Sequence, residues 1–158
     1  MSMFEKLRRR AAEGRPVRVG LIGAGKFGSM YLSQAWRTPG VHLTGVADLS
    51  VPRAQDAMRR VGWADERFAA RSLEHAARSD STFVTDDSAA LIASPYVDVI
   101  IEATGHPAVG IRHVLLACEH RKHVVMVNVE ADALAGPLLA RRAADAGIVY
   151  SMAAGDQP

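Results

Sequence analysis

Six residues constrain this chain more than any others: Gly23-Ala24-Gly25-Lys26-Phe27-Gly28, three glycines at the spacing G-x-G-x-x-G. They follow residues 17–22, Val-Arg-Val-Gly-Leu-Ile, an apolar β-branched run that reads as a buried parallel strand. Beyond them, residues 26–37 place Phe27, Met30, Tyr31 and Ala35 at helical spacing, and Pro39-Gly40 ends that helix. In such a strand-turn-helix unit Gly23 permits the tight turn, Gly25 lets a ligand approach the backbone, and Gly28 lets helix and strand pack closely. The helix start then offers free N–H donors and partial positive charge to an anion, here the pyrophosphate of a dinucleotide.

The alternation continues along the chain. Strands are expected at 41–47, 82–85, 97–103, 123–127 and 148–152, and helices at 51–61, 87–93, from His106-Pro107 to about 120, and at 131–146. Alternating elements of this kind require right-handed crossovers, so the fold class is α/β: a doubly wound parallel sheet of the Rossmann type with about six strands, covered on both faces. Residues 62–81 are less regular and are expected as a surface excursion with a helical piece at 73–78. Residues 1–16 form a helical extension, with a helix at 3–12 stopped by Gly14 and Pro16, and residues 17–158 form the dinucleotide-binding domain.

Asp48 stands twenty residues after Gly28 at the end of the second strand, where this fold places a carboxylate on the adenosine ribose hydroxyls. The competing reading makes Asp48 a cap for the next helix, a task Ser50 can also perform. A carboxylate there repels a 2′-phosphate and favours NAD(H), whereas Ser50 and Arg53 suit a 2′-phosphate and favour NADP(H). Thr104 and Gly105 end the fourth strand at the carboxyl edge, where open α/β sheets bind ligands, and Asn128 and Glu130 stand in the equivalent place after the fifth. Thr104 offers a hydrogen bond and Gly105 a close approach to the cofactor. Asn128 and Glu130 are both expected to reach the nicotinamide pocket, with Glu130 alternatively capping the helix that follows.

Composition narrows the function. With 49% apolar and 23% charged residues the chain can build a core. A formal charge of +2 and 6% aromatic residues argue against nucleic acid, and Lys6, Arg8, Arg9 and Arg10 read as a solvated helix face. No apolar run is long enough for a membrane span, and the N-terminus has charges where a signal peptide is apolar, so a cytoplasmic location is expected. The lone Cys118 reads as a small core residue. His106, His113, His120 and His123 lack metal-binding spacing and are expected as exposed or capping residues. No Ser-His-Asp or Cys-His arrangement is evident, and the catalytic residues are unknown.

Residues 17–30, 98–105 and 123–132 resemble the N-terminal half of homoserine-dehydrogenase-like oxidoreductases. Asn128, Ala131, Asp132, Leu134, Ala135 and Gly136, with Gly155-Asp156-Gln157-Pro158, look most like the branch containing the 1-deoxy-D-xylulose 5-phosphate reductoisomerase-like proteins. The resemblance implies an NADP(H)-dependent enzyme acting on a small polar carbonyl or hydroxyl compound, with catalysis, and in some members a divalent metal, in a domain expected after residue 158. Cofactor contacts carry over at Gly23, Gly25, Lys26, Phe27, Gly28, Asp48, Thr104 and Gly105, and at Asn128 and Glu130. Homoserine dehydrogenases carry a Lys soon after the fifth-strand Asn, where Val129 and Glu130 stand here, so homoserine itself does not carry over. The expected partner is a nicotinamide dinucleotide, bound without turnover by this chain alone. A missing covering domain would leave apolar surface open to self-association. The alternative is a dinucleotide-sensing module without chemistry.

Overall fold

A parallel sheet needs a crossover after each strand, and the chain provides a helix for every one. The computed structural model describes residues 1–153; the expected Gly155-to-Pro158 motif lies outside them. The strands are β1 (Val17–Ile22), β2 (Val41–Ala47), β3 (Phe83–Thr85), β4 (Val99–Glu102), β5 (His123–Met126) and β6 (Tyr150–Met152). All pair in parallel in one sheet, in the order β3-β2-β1-β4-β5-β6. The helices are α1 (Met3–Ala12), α2 (Lys26–Ala35), α3 (Val51–Arg60), α4 (Leu73–Ser79), α5 (Ser88–Ala93), α6 (Pro107–Glu119) and α7 (Val129–Asp145). The doubly wound sheet expected from the sequence is therefore the one that forms. Strand order reverses between β1 and β4, which opens a crevice at their carboxyl ends.

Side chains alternate across the sheet and build a core on each face. Val19 and Leu21 of β1 join Leu32 of α2 and Ala54 and Met58 of α3 on one side. Ile22 and Ile100 join Leu91 of α5, Val114 of α6 and Leu139 of α7 on the other. Cys118 packs at the edge of this second core, and burial pushes its thiol up despite Arg142 nearby, as suits a packing residue. Among the described residues no helix is long and apolar enough to cross a membrane.

Two elements depart from expectation. The segment 62–81 is more than a surface excursion, because Trp63 and Phe68 are buried in the first core and Trp63 Nε1 donates to the Leu32 carbonyl at 2.8 Å. Its polar residues are solvated while these two aromatics anchor it, and a 3-10 turn (Asp65–Phe68) carries Phe68 inward. α7 begins at Val129, two residues before the expected start, because Asn128 is its N-cap.

At the opposite edge Asp98 joins the starts of β1 and β4. It accepts from the Arg18 backbone N–H at 3.0 Å and from the Arg18 guanidinium at 3.1 and 2.7 Å. Burial pushes the Asp98 carboxyl up, but the bonds from Arg18 outweigh it and hold the group below the usual aspartate range. The folded value lies below the unfolded one, so the pair's contribution is complete above about pH 4 and is lost as pH falls through the folded value. Asp98→Asn is expected to lower stability at pH 7 by about 1 kcal/mol, a low value because both side chains are partly exposed. Urea unfolding should show the gap from wild type closing below about pH 4.

Candidate functional site

A cleft of about 230 Å³ opens at the carboxyl edge, between the β1–α2 loop, the end of β2 and the turn after β4. Gly23, Gly25, Asp48, Arg53 and Thr104 line it. The glycines perform different tasks. Gly23 has φ +98°, and a Cβ there would stand 2.6 Å from the Ala103 carbonyl oxygen. A Cβ on Gly28 would collide with the Gly23 carbonyl oxygen, so α2 starts directly above β1 only because Gly28 lacks one. A Cβ on Gly25 would meet nothing within 4 Å, so its absence leaves open space in front of the backbone.

Helix starts around this edge differ in what they leave free. Ser50 caps α3, Asp87 caps α5 and Asn128 caps α7, each accepting a first-turn N–H. α2 has Gly25 as N-cap with no side-chain acceptor, so its first-turn N–H groups, at Lys26, Phe27 and Gly28, face outward with the positive end of the helix. An anion placed before Gly25 meets both.

Asp48 does not cap α3, since Ser50 does. Its carboxylate accepts from the Ala24 N–H at 3.0 Å, the Ser50 N–H at 2.9 Å and Arg53 Nη2 at 2.8 Å. Burial pushes this carboxyl up, and these three donors together bring it below the usual aspartate range. Arg53 itself is largely exposed at the mouth of the cleft.

The remaining expected residues sit around the cleft rather than on it. Gly105 shapes the turn after β4 with φ +73°. Asn128 is buried, its Oδ1 accepting the Ala131 N–H and its Nδ2 donating to the His106 carbonyl at 3.0 Å, so it ties that turn to α7. Glu130 is exposed in the first turn of α7.

Sequence reading missed part of the lining. Leu49, Asp86, Ser88, His106, Val109 and His113 also face the cleft. His113 is neither exposed nor a cap: its Nε2 lies 3.0 Å from Ser88 Oγ and its Nδ1 3.2 Å from Glu102 Oε1. Glu102 is wholly buried and also accepts from the Thr104 hydroxyl at 2.6 Å. The fold thus brings together a Ser-His-carboxylate array that the sequence spacing does not reveal. The signal for Asp86 and Ser88 was their place just after β3 at the same carboxyl edge. For His113 there was none, because its direction depends on how α6 sits on the sheet. The described residues contain no group of three His, Cys, Asp or Glu side chains fit for a metal ion.

Residues 17–127 match the GFO_IDH_MocA family, described as an oxidoreductase family with an NAD-binding Rossmann fold. The chain belongs to this family. The homoserine dehydrogenase of Methylobacillus glycogenes is 31% identical over 118 residues, covering 72% of this chain and 25% of that protein. The fold is shared with a homoserine dehydrogenase from Thiobacillus denitrificans, with TM-score 0.66 and 20% identity over 87% of this chain and 29% of that one. It is also shared with a myo-inositol dehydrogenase from Lactobacillus casei in complex with NAD(H) and myo-inositol, with TM-score 0.62 and 19% identity over 87% and 36%. The chain thus spans about a quarter of the length of its curated homoserine dehydrogenase relative. As a family member it is an NAD-binding oxidoreductase domain.

The steric roles of the glycines separate by experiment. Gly28→Ala is expected to cost about 1–3 kcal/mol by overpacking, read as a lower Tm. Gly25→Ala, opening into empty space, is expected to cost less than about 1 kcal/mol, the scale of an N-cap change.

Proposed function

We propose that this domain binds NADP(H), accepting NAD(H) as well, and serves a longer oxidoreductase that moves hydride between the nicotinamide and a small polar carbonyl or hydroxyl compound. The observation that carries the reading is the convergence of the open space at Gly25, the uncapped start of α2 and the Asp48 carboxylate on one cleft. The pyrophosphate takes the N–H groups at the start of α2, and the adenosine ribose lies against Asp48. Thr104 and Gly105 border the path toward the nicotinamide.

Acceptance of a 2′-phosphate is supported by Arg53. Asp48 alone would repel that phosphate, but its charge is already matched by Arg53 and two backbone N–H groups. The exposed guanidinium is free to bond a phosphate in two-pronged fashion while staying beside Asp48.

The hydride acceptor or donor would be held by a further domain, as in relatives about three times longer. Leu134 and Leu138, one turn apart on α7 and 70% and 53% exposed, support a covering domain on that side. The segment from Asn128 to Gly136 supports a reductoisomerase-like parent over one that acts on homoserine. A divalent metal, where such a parent uses one, would be held outside the described residues.

Calorimetric titration tests the proposal. The chain is expected to bind both NADPH and NADH, and Gly25→Asp to abolish both by placing a carboxylate against the pyrophosphate. Arg53→Ala should weaken NADPH by about tenfold or more and NADH by less than about threefold, the scale of one charge-assisted contact. The unaltered chain should show no turnover with small carbonyl or hydroxyl substrates, and robust turnover would overturn the division of labour.

A further inference from the structure

Resting on the dinucleotide reading above, we propose that Ser88, oriented by His113 and the buried Glu102, forms with the neighbouring Asp86 a subsite that reads the edge of the nucleobase and selects adenine by its exocyclic amino group. The ribose at Asp48 fixes where its base must go: into the rest of the same cleft. There the lining is apolar at Leu49 and Val109 and polar at Asp86, Ser88 and His113. Leu49 is 91% exposed, an apolar side chain free to cover one face of a flat ring.

The polar members form a directed chain. Glu102 is wholly buried, and as a carboxylate it only accepts, so His113 Nδ1 must carry the hydrogen of their 3.2 Å contact. The Thr104 hydroxyl gives its one hydrogen to the same Glu102 oxygen at 2.6 Å, which leaves it none for the ring. In a neutral imidazole a protonated Nδ1 leaves Nε2 as an acceptor. Ser88 must then donate its hydroxyl hydrogen to Nε2 across 3.0 Å. Its oxygen is left with lone pairs alone, and the neighbouring Asp86 carboxylate is likewise an acceptor. At Ser88 and Asp86 the rim therefore offers acceptors.

Adenine brings an amino group with two donors at position 6, whereas hypoxanthine brings a carbonyl oxygen there and a hydrogen on the adjoining ring nitrogen. With the Ser88 oxygen facing position 6, the first is bonded and the second sets lone pairs against lone pairs. Glu102 is the positioning residue, because it acts through the imidazole without touching the base. Gly110 makes its placement possible. A Cβ there would stand 3.0 Å from Glu102 Oε2 and 2.6 Å from Asn128 Nδ2.

Titration of the chain with NADPH and with its hypoxanthine analogue tests this. Wild type is expected to bind NADPH about tenfold more tightly than the analogue, the scale of one hydrogen bond made against one opposed. Ser88→Ala removes the acceptor without disturbing the buried carboxylate and should bring the two affinities within about threefold. Glu102→Gln permits the other imidazole tautomer and frees the Ser88 hydrogen, so the preference should vanish or reverse. Equal affinities in wild type, or an undiminished preference in Ser88→Ala, would overturn the base-reading subsite while leaving dinucleotide binding intact. Failure of wild type to bind either compound would overturn the dinucleotide reading and this inference with it.

Discussion

The contact of Gly28 with the Gly23 carbonyl is the constraint from which the remaining geometry follows. With no side chain on Gly28, α2 begins directly above the end of β1, beside the crevice where strand order reverses. Any larger residue would lift the helix start away from the sheet. The open N–H groups would then no longer face the same space as Asp48.

Asp48 holds that arrangement from the other side. Its bond to the Ala24 N–H joins the first turn to the second, and its bonds to Ser50 and Arg53 draw the start of α3 to the same point. A carboxylate this enclosed is stable as an anion only because it has these donors. One residue thus serves the fold and the cleft together, which limits what can replace it. Glu102 has a comparable double position at the end of β4, pinned by Thr104 and His113 while standing behind the cleft wall.

Much of this was legible because it depends on local rules. The six strands follow from short β-branched runs between turns, and the glycine spacing with Asp48 located the cleft. Asn128 was recognised as a residue of the carboxyl edge, with Glu130 as the candidate cap of the next helix, yet it is the Asn128 side chain that caps α7. Trp63 and Phe68 sit in an irregular polar stretch without periodicity, so pattern alone assigned them to the surface while packing took them inside. Exposed helix starts, caps and strand ends are spaced along the chain. The contacts between them are not.

What the sequence by itself determined is the class of sheet and the glycine turn at its carboxyl edge, since both rest on periodicity and on the steric demands of glycine. Only the tertiary structure decided that Asp48 is already paired with Arg53, that Asn128 rather than Glu130 caps α7, and that Ser88, His113 and Glu102 meet. The last three residues come from α5, α6 and β4. Their meeting depends on the rotation and height of two helices on one sheet face, and those are set by close packing of the Leu91, Val114 and Ile100 side chains rather than by any spacing along the chain.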